Sequence, residues 1–94
     1  MDHMAIGFPA RFKMEDNGQY SVFFLGKGME GCITYGSDME EAKHNAQEAL
    51  DGYLRSLCSH REKIQPPQAR DGEDIITFMP SDSVVQKWLT SRLT

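Results

Sequence analysis

Apolar residues recur every second position in the first third of the chain and every three or four positions in the middle third. The alternation predicts a strand over residues 6–14, and Asn17-Gly18 predicts a tight hairpin turn into a second strand over residues 19–25. A glycine-rich connection then leads to a short third strand over residues 32–35. The apolar face of the first strand comprises Ile6, Phe8, Ala10, Phe12 and Met14. We therefore expect a small sheet with one hydrophobic face.

An amphipathic helix follows this sheet and runs to about residue 59 or 60. Ser37 and Glu40 match the capping box that starts many helices, in which the two side chains bond each other's main-chain amides. The apolar stripe comprises Met39, Ala42, Ala46, Ala49, Leu50, Tyr53, Leu54 and Leu57. We expect the opposite side of the helix, including Gln47 and Asp51, to face water, and Gly52 to mark a close approach to the sheet.

The last third of the chain predicts one more strand and one short helix. A polar connector with two prolines, residues 65–72, precedes a compact apolar strand over residues 75–79. A right-handed crossover would place this strand parallel to an earlier one. Residues 81–83 then cap a short C-terminal helix. The fold class is therefore α+β, a small sheet that shares its hydrophobic face with one helix, an architecture that binds more often than it catalyses.

Length and charge limit the possible functions. The 94 residues correspond to one domain, and the formal charge of −4 disfavours a generic nucleic-acid surface while favouring a basic partner. Cys32 and Cys58 form no CxxC pair, so they predict reduced thiols, buried or half-buried, in the cytoplasm. No segment is apolar enough to span a membrane, and no signal peptide is recognisable. We divide the chain into start residues 1–4, which include a second possible start at Met4 or a cloning remnant, a domain over residues 5–80, and a C-terminal helix over residues 81–94.

Catalytic and metal chemistry are not favoured by the residue pattern. His44 lies between acidic residues on the polar side of the helix, where a surface histidine is far commoner than a metal ligand or a general base. Cys58 and His60 are close in sequence, but a zinc site needs four ligands. The first strand carries Arg11 and Lys13 where a two-metal nuclease needs a carboxylate. We expect no enzyme activity, no cofactor and no metal.

Five segments in this order resemble the N-terminal domain of HicB-type antitoxins. They are residues 8–12 (FPARF), 16–24 (DNGQYSVFF), 31–36 (GCITYG), 39–42 (MEEA) and 45–50 (NAQEAL). The resemblance covers about residues 7–67, and residues 66–67 and 75–80 are similar to the family's connector and last strand. Residues 29–32 (MEGC) depart from the commoner Leu-Pro-Gly-Cys.

The resemblance implies a partial ribonuclease-H-like fold, β-β-β-α-β, and the role of antitoxin in a type II toxin-antitoxin system. Such a protein binds and masks a small HicA-like toxin that cleaves messenger RNA. Many family members also carry a C-terminal DNA-binding module, but residues 80–94 suffice for only one helix. We therefore expect either a truncated form or a single-domain member that leaves DNA to another protein.

An acidic surface is the candidate contact for a basic toxin, because charge complementarity speeds association and excludes RNA from the same site. The candidate residues are Glu15, Asp16, Glu40, Glu41, Glu48 and Asp51. Mere solvated charge is an equal alternative for each of them, and the interface could lie on the exposed face or edge of the sheet instead.

Self-association is expected from the small core, at least as a homodimer. Its candidate residues are Val84, Val85, Trp88 and Leu89, which otherwise belong to the core of the domain. Two alternative functions stay open. One is a stand-alone protein- or peptide-binding adaptor that adds a partner's strand to a sheet edge; the other is a DNA-binding repressor, which would need the missing module.

Overall fold

The computed structural model describes residues 7–60, 62, 70 and 72–86. Strands β1 (Phe8–Met14), β2 (Tyr20–Phe24) and β3 (Ile33–Gly36) precede helix α1 (Met39–Ser59), and strand β4 (Ile75–Phe78) follows it. Residues 82–86 are helical and belong to a short C-terminal helix. The α+β class and the β-β-β-α-β order are confirmed.

The four strands form one sheet in the order β3-β2-β1-β4, and every neighbouring pair is antiparallel. The last strand was predicted to run parallel to an earlier one. It runs in the same direction as β2, since both are antiparallel to β1, but the strand that it pairs with is β1 and that pairing is antiparallel. Helix α1 begins near the β1–β2 turn, here called the hairpin end, and extends about 31 Å at 1.5 Å per residue. Its Tyr53 hydroxyl donates to the carbonyl of Gly28 in the β2–β3 loop, at the far end of the sheet. The chain thus leaves α1 at the far end and enters β4 at the hairpin end, which reverses β4 relative to β1.

The predicted hairpin between β1 and β2 is present. Gly18 has φ 85°, and the Asn17 side-chain oxygen accepts from the Gln19 amide at 3.0 Å. Alternate residues of β1 and β2 then point to the face that α1 covers. On β1, however, Met14 is 62% exposed. The prediction that it joins the core is wrong because α1 packs mainly against β3 and β2, away from this end of β1.

The core lies between the sheet and α1. Its fully or nearly fully buried members are Phe8, Ala10, Phe12, Val22, Phe24, Met29, Cys32, Ala42, Ala46, Leu50, Leu54, Cys58 and Val84. Phe78 of β4 packs its ring against Phe12 and Phe24, with centroids 6.0 and 5.8 Å away. Both cysteines are buried free thiols, and burial raises the pKa of Cys32 to about 12.

Helix α1 starts one capping residue later than its sequence pattern predicts. Asp38, not Ser37, is the N-cap, and its carboxylate accepts from the Glu41 amide at 2.8 Å. Glu41, not Glu40, reaches back and accepts from the Ser37 amide at 2.7 Å. Asp38 and Glu41 thus stand where Ser37 and Glu40 were predicted, but the two bonds are not reciprocal, because Glu41 accepts from the amide of Ser37 and not from that of Asp38.

Polar side chains on both flanks of α1 fasten the helix to the sheet. On the β3 flank, Asn45 donates to the Tyr35 carbonyl at 2.7 Å. On the opposite flank, Gln47 donates to the Met79 carbonyl at 2.8 Å, and Asp51 accepts from the Ser81 amide at 2.9 Å. The prediction that Gln47 and Asp51 simply face water is therefore wrong. Both lie at the border of the apolar stripe, where a polar side chain can bond main-chain groups beside the helix.

None of the helices in the described ranges has both the length and the hydrophobicity needed to cross a lipid bilayer.

Candidate protein-binding surfaces

Four of the six predicted acidic contacts lie at the hairpin end. Glu15 and Asp16 belong to the β1–β2 turn, and Glu40 and Glu41 belong to the first turn of α1. The two segments come to the same end because β3 terminates beside the start of β2, with Gly36 opposite Tyr20. We call Glu15, Asp16, Glu40 and Glu41 the acidic end.

Two carboxylates of the acidic end are engaged within the chain. Glu15 accepts from the Ser21 hydroxyl at 2.7 Å. Glu41 accepts from both the amide and the hydroxyl of Ser37, and these bonds hold the pKa of its carboxyl below the usual value. Their positions are set by these bonds, which keep the turn and the helix start in defined conformations.

The other two carboxylates of the acidic end are available to a binding partner. Asp16 and Glu40 are exposed, and neither carboxylate forms a hydrogen bond or an ion pair with a residue that the structure describes. A basic protein could therefore bind them without first breaking a contact inside this chain. The acidic end combines two anchored carboxylates with two free ones.

Glu48 and Asp51, the other two predicted acidic contacts, each have a partner within the chain. Glu48 is exposed and lies 3.3 Å from the imidazole of His44, one helical turn earlier. Asp51 is half-buried and bonds the Ser81 amide, with Gln47 a weaker donor at 3.3 Å. Asp51 thus has a structural role in this chain, since it fastens the start of the C-terminal segment to α1.

The face of the sheet opposite α1 is rich in apolar side chains. Tyr35 and Ile33 on β3 are 62% and 44% exposed, and Met79 after β4 is 45% exposed. Arg11 lies between them on β1 and pairs with Asp74 at 3.2 Å. This outer face is the location that the sequence argument left open as an alternative interface.

The predicted self-association residues are only partly within the described ranges. Val84 is buried in the chain's own core, so its side chain is not available to a second copy, and Val85 is half-buried. Trp88 and Leu89 lie outside the described residues. Self-association through this helix stays a prediction.

Over 57 residues, the chain is 35% identical to UPF0150 protein Ta0767 of Thermoplasma acidophilum. The match spans 61% of this chain and 80% of the relative. The chain belongs to the UPF0150 protein family. No protein-family model matches the sequence.

In this UPF0150 protein, the described residues contain no group of three or more His, Cys, Asp or Glu side chains placed to hold a metal ion. His44, Cys58 and His60 are not brought together as a ligand set. His60 instead bonds the carbonyl of Ser56 at 2.8 Å. The surfaces that the fold offers are therefore an acidic end, an apolar outer face and two sheet edges.

Sequence reasoning missed the side chains that fasten α1 to the sheet in this UPF0150 protein. Asn45, Gln47 and Tyr53 each bond a main-chain carbonyl that is distant in sequence. A weak signal was present, since amide and phenol groups stand at the borders of the apolar stripe, where a polar tip can reach past the core. Which carbonyl each of them meets depends on the tertiary packing.

Proposed function

We propose that this UPF0150 protein is the antitoxin of a type II toxin-antitoxin pair and neutralises a HicA-like, mRNA-cleaving toxin by covering its RNA-binding surface. UPF0150 is a HicB-related family name, which supports the antitoxin class. The observation that carries the proposal is the acidic end, where the carboxylates of Asp16 and Glu40 are exposed and form no hydrogen bond or ion pair with the described residues.

The physical reason is the charge of the two partners. A ribonuclease that binds messenger RNA presents cationic groups to the phosphates. A chain of net charge −4 is attracted to that surface, and its carboxylates compete with phosphate for the same groups. Glu15 and Glu41 are already ordered by their own hydrogen bonds, so little side-chain entropy remains to be lost there when the partner binds.

The first test is co-expression with a basic protein of about 60 to 90 residues encoded beside this gene, the size range of a small toxin domain. We expect the neighbouring protein to arrest growth alone and the UPF0150 protein to restore it. If growth is not restored although both proteins are soluble and folded, the proposal is contradicted.

The second test measures association of the two purified proteins with the double variant Asp16→Asn, Glu40→Gln. Neutralising both carboxylates should slow association about ten-fold at low salt, since charge steering acts mainly on the association rate. The control is Glu62→Gln, which removes one exposed carboxylate beyond the opposite end of α1 and should slow association by much less than half of the effect of the double variant.

The salt dependence of the association rate separates long-range charge attraction from direct contacts at the acidic end. For the unmodified chain, association should slow between about 50 and 500 mM salt, because the Debye length falls over this range. The double variant should show a smaller salt dependence. If the association rates of the unmodified chain and of the double variant were both independent of salt, the acidic end would have no part in the binding mechanism.

A further inference from the structure

The outer edge of β4 carries main-chain groups that no described residue pairs. The Phe12 amide donates to the Asp74 carbonyl at 2.8 Å, so Phe12 and Asp74 are a hydrogen-bonded pair of the β1–β4 ladder. Hydrogen-bonded and non-hydrogen-bonded pairs alternate along an antiparallel ladder. Ile76 and Phe78 therefore bond to β1, while Ile75 and Thr77 direct their amides and carbonyls away from it. The main-chain groups of Met79 also point away from β1, and its carbonyl accepts a hydrogen bond from the Gln47 side chain at this edge.

Two of these outward groups are already satisfied inside the chain. The Ile75 amide donates to the Gly72 carbonyl at 3.2 Å, and the Met79 carbonyl accepts from Gln47. Four groups remain without a described partner: the Ile75 carbonyl, the Thr77 amide, the Thr77 carbonyl and the Met79 amide. They are two donors and two acceptors, placed symmetrically about Thr77.

This arrangement is self-complementary under a two-fold axis through Thr77. If a second copy approaches antiparallel, each Thr77 amide meets the other copy's Thr77 carbonyl, and each Met79 amide meets the other copy's Ile75 carbonyl. We propose that the open edge of β4 binds the same edge of a second copy of this chain, joining two four-stranded sheets into one continuous sheet. Such an interface uses the same surface patch of both protomers, as a two-fold dimer requires.

A foreign strand fits this edge less well than a second copy. An ordinary strand would present a full row of donors and acceptors, and its groups opposite the Ile75 amide and the Met79 carbonyl would compete with bonds already made. A second copy has the same two positions satisfied internally by Gly72 and Gln47. The pattern of used and unused groups therefore favours self-pairing.

The side chains of β4 agree with symmetric pairing. Residues 75–79 (IITFM) carry no charge, so the two-fold axis brings no like charges into opposition. Ile75 of one copy would lie beside Met79 of the other on the outer face, where Met79 is 45% exposed. Thr77 is exposed and would face its own symmetry mate, a favourable cross-strand pair.

The test follows the oligomeric state by sedimentation from about 5 to 500 µM, a range that detects a weak dimer. We expect the unmodified chain to dimerise within this range. Thr77→Lys and Thr77→Glu each place like charges at the axis and should weaken dimerisation about ten-fold or more. An equimolar mixture of the two variants should restore it, because the charges across the axis are then opposite.

Two further variants keep the test decisive. Thr77→Pro removes an amide that makes no bond within the chain's own sheet, so it should weaken dimerisation while circular dichroism shows an intact fold. Tyr35→Lys places the same charge at the β3 edge and should leave dimerisation unchanged. A chain that stays monomeric at about 500 µM, or a dimer that is insensitive to Thr77→Lys, Thr77→Glu and Thr77→Pro, would overturn the proposal.

Discussion

The two edges of the sheet differ in how closely helix α1 packs against them. At the β3 edge, α1 lies close against the strand, and Asn45 bonds the Tyr35 carbonyl. At the β4 edge, Gln47 and Gly72 satisfy one group each, and four further groups have no described partner. A sheet edge is a template for further pairing unless it is covered. On β3 the Ile33 amide, the Ile33 carbonyl and the Tyr35 amide also point outward without a described partner, so the two edges differ in helix packing and not in complete closure. We call the β3 side, against which α1 packs, the closed side, and the β4 side the open side.

The packing of α1 on the closed side depends on a contact between Gly36 and Ala42 that is too short for any side chain at position 36. A Cβ on Gly36 would lie 2.3 Å from the Ala42 nitrogen and 2.4 Å from its Cα, both of them backbone atoms that cannot move aside. We therefore expect Gly36→Ala to cost about 3 kcal/mol or more of the free energy of unfolding, the upper range for overpacking. Chemical denaturation followed by circular dichroism measures this loss.

The control for Gly36→Ala is the same substitution inside α1. A Cβ on Gly52 meets no atom within 4 Å, so the prediction of a close approach to the sheet there is wrong. Gly52→Ala should raise the free energy of unfolding by about 0.5 to 1 kcal/mol, because alanine is the better helix former. If the two variants had similar stability, the close contact between Gly36 and Ala42 would not be what holds α1 against β3.

The open side of the sheet is tested through Asp51. Asp51→Ala leaves the Ser81 amide without its acceptor and should cost about 1 to 2 kcal/mol, the usual penalty for a half-buried group that loses its hydrogen bond. The effect should be local. Hydrogen exchange should accelerate at the Val84 and Val85 amides, which donate to the Ser81 carbonyl, more than in β3 or the first turn of α1.

Two variants sharpen the Asp51 measurement. Asp51→Asn keeps an oxygen acceptor and should recover most of the protection, while Glu48→Ala removes an exposed carboxylate of the same helix and should change little. Equal acceleration throughout the sheet in Asp51→Ala would show that the C-terminal segment is not a separate, more loosely held part of the fold.

The smallest effect is expected from acid at the start of α1, on the closed side. The Ser37 hydrogen bonds hold the pKa of Glu41 below its unfolded value, so the ionised carboxylate stabilises the folded state. This contribution is fully present above the unfolded pKa and is lost as the pH falls through the lower folded pKa. Denaturation curves between about pH 6 and 2, the window in which carboxyl groups titrate, should therefore show a shallower acid dependence for Glu41→Gln than for the unmodified chain. Identical acid dependence would mean that the Ser37 bonds add nothing to stability in solution.

The closed side was easier to predict from the sequence than the open side. The start of α1 was predicted to within one residue, because caps depend on interactions between residues three apart in the chain. The turn at Asn17-Gly18 depends on equally local backbone preferences. Glu15, Asp16, Glu40 and Glu41, named from the sequence as candidate contacts, come to one end of the sheet, and their role in binding stays a prediction. Asp51 was assigned to the same surface, but its contact with Ser81 gives it a different role.

The sequence by itself determined which segments are strands and which are helix, because alternation, helical periodicity and turn chemistry act over a few residues. Tertiary structure alone decided the direction of β4, the shift of Gln47 and Asp51 from water to the sheet border, and the set of main-chain groups left open on β4. Those features depend on the register between β1 and β4, which are separated by the whole of α1. A one-residue change in that register would turn the amide of Thr77 inward and its side chain toward the core. The polar side chain of Thr77 is the only local signal against that arrangement, because the other residues of 75–79 are apolar on both faces.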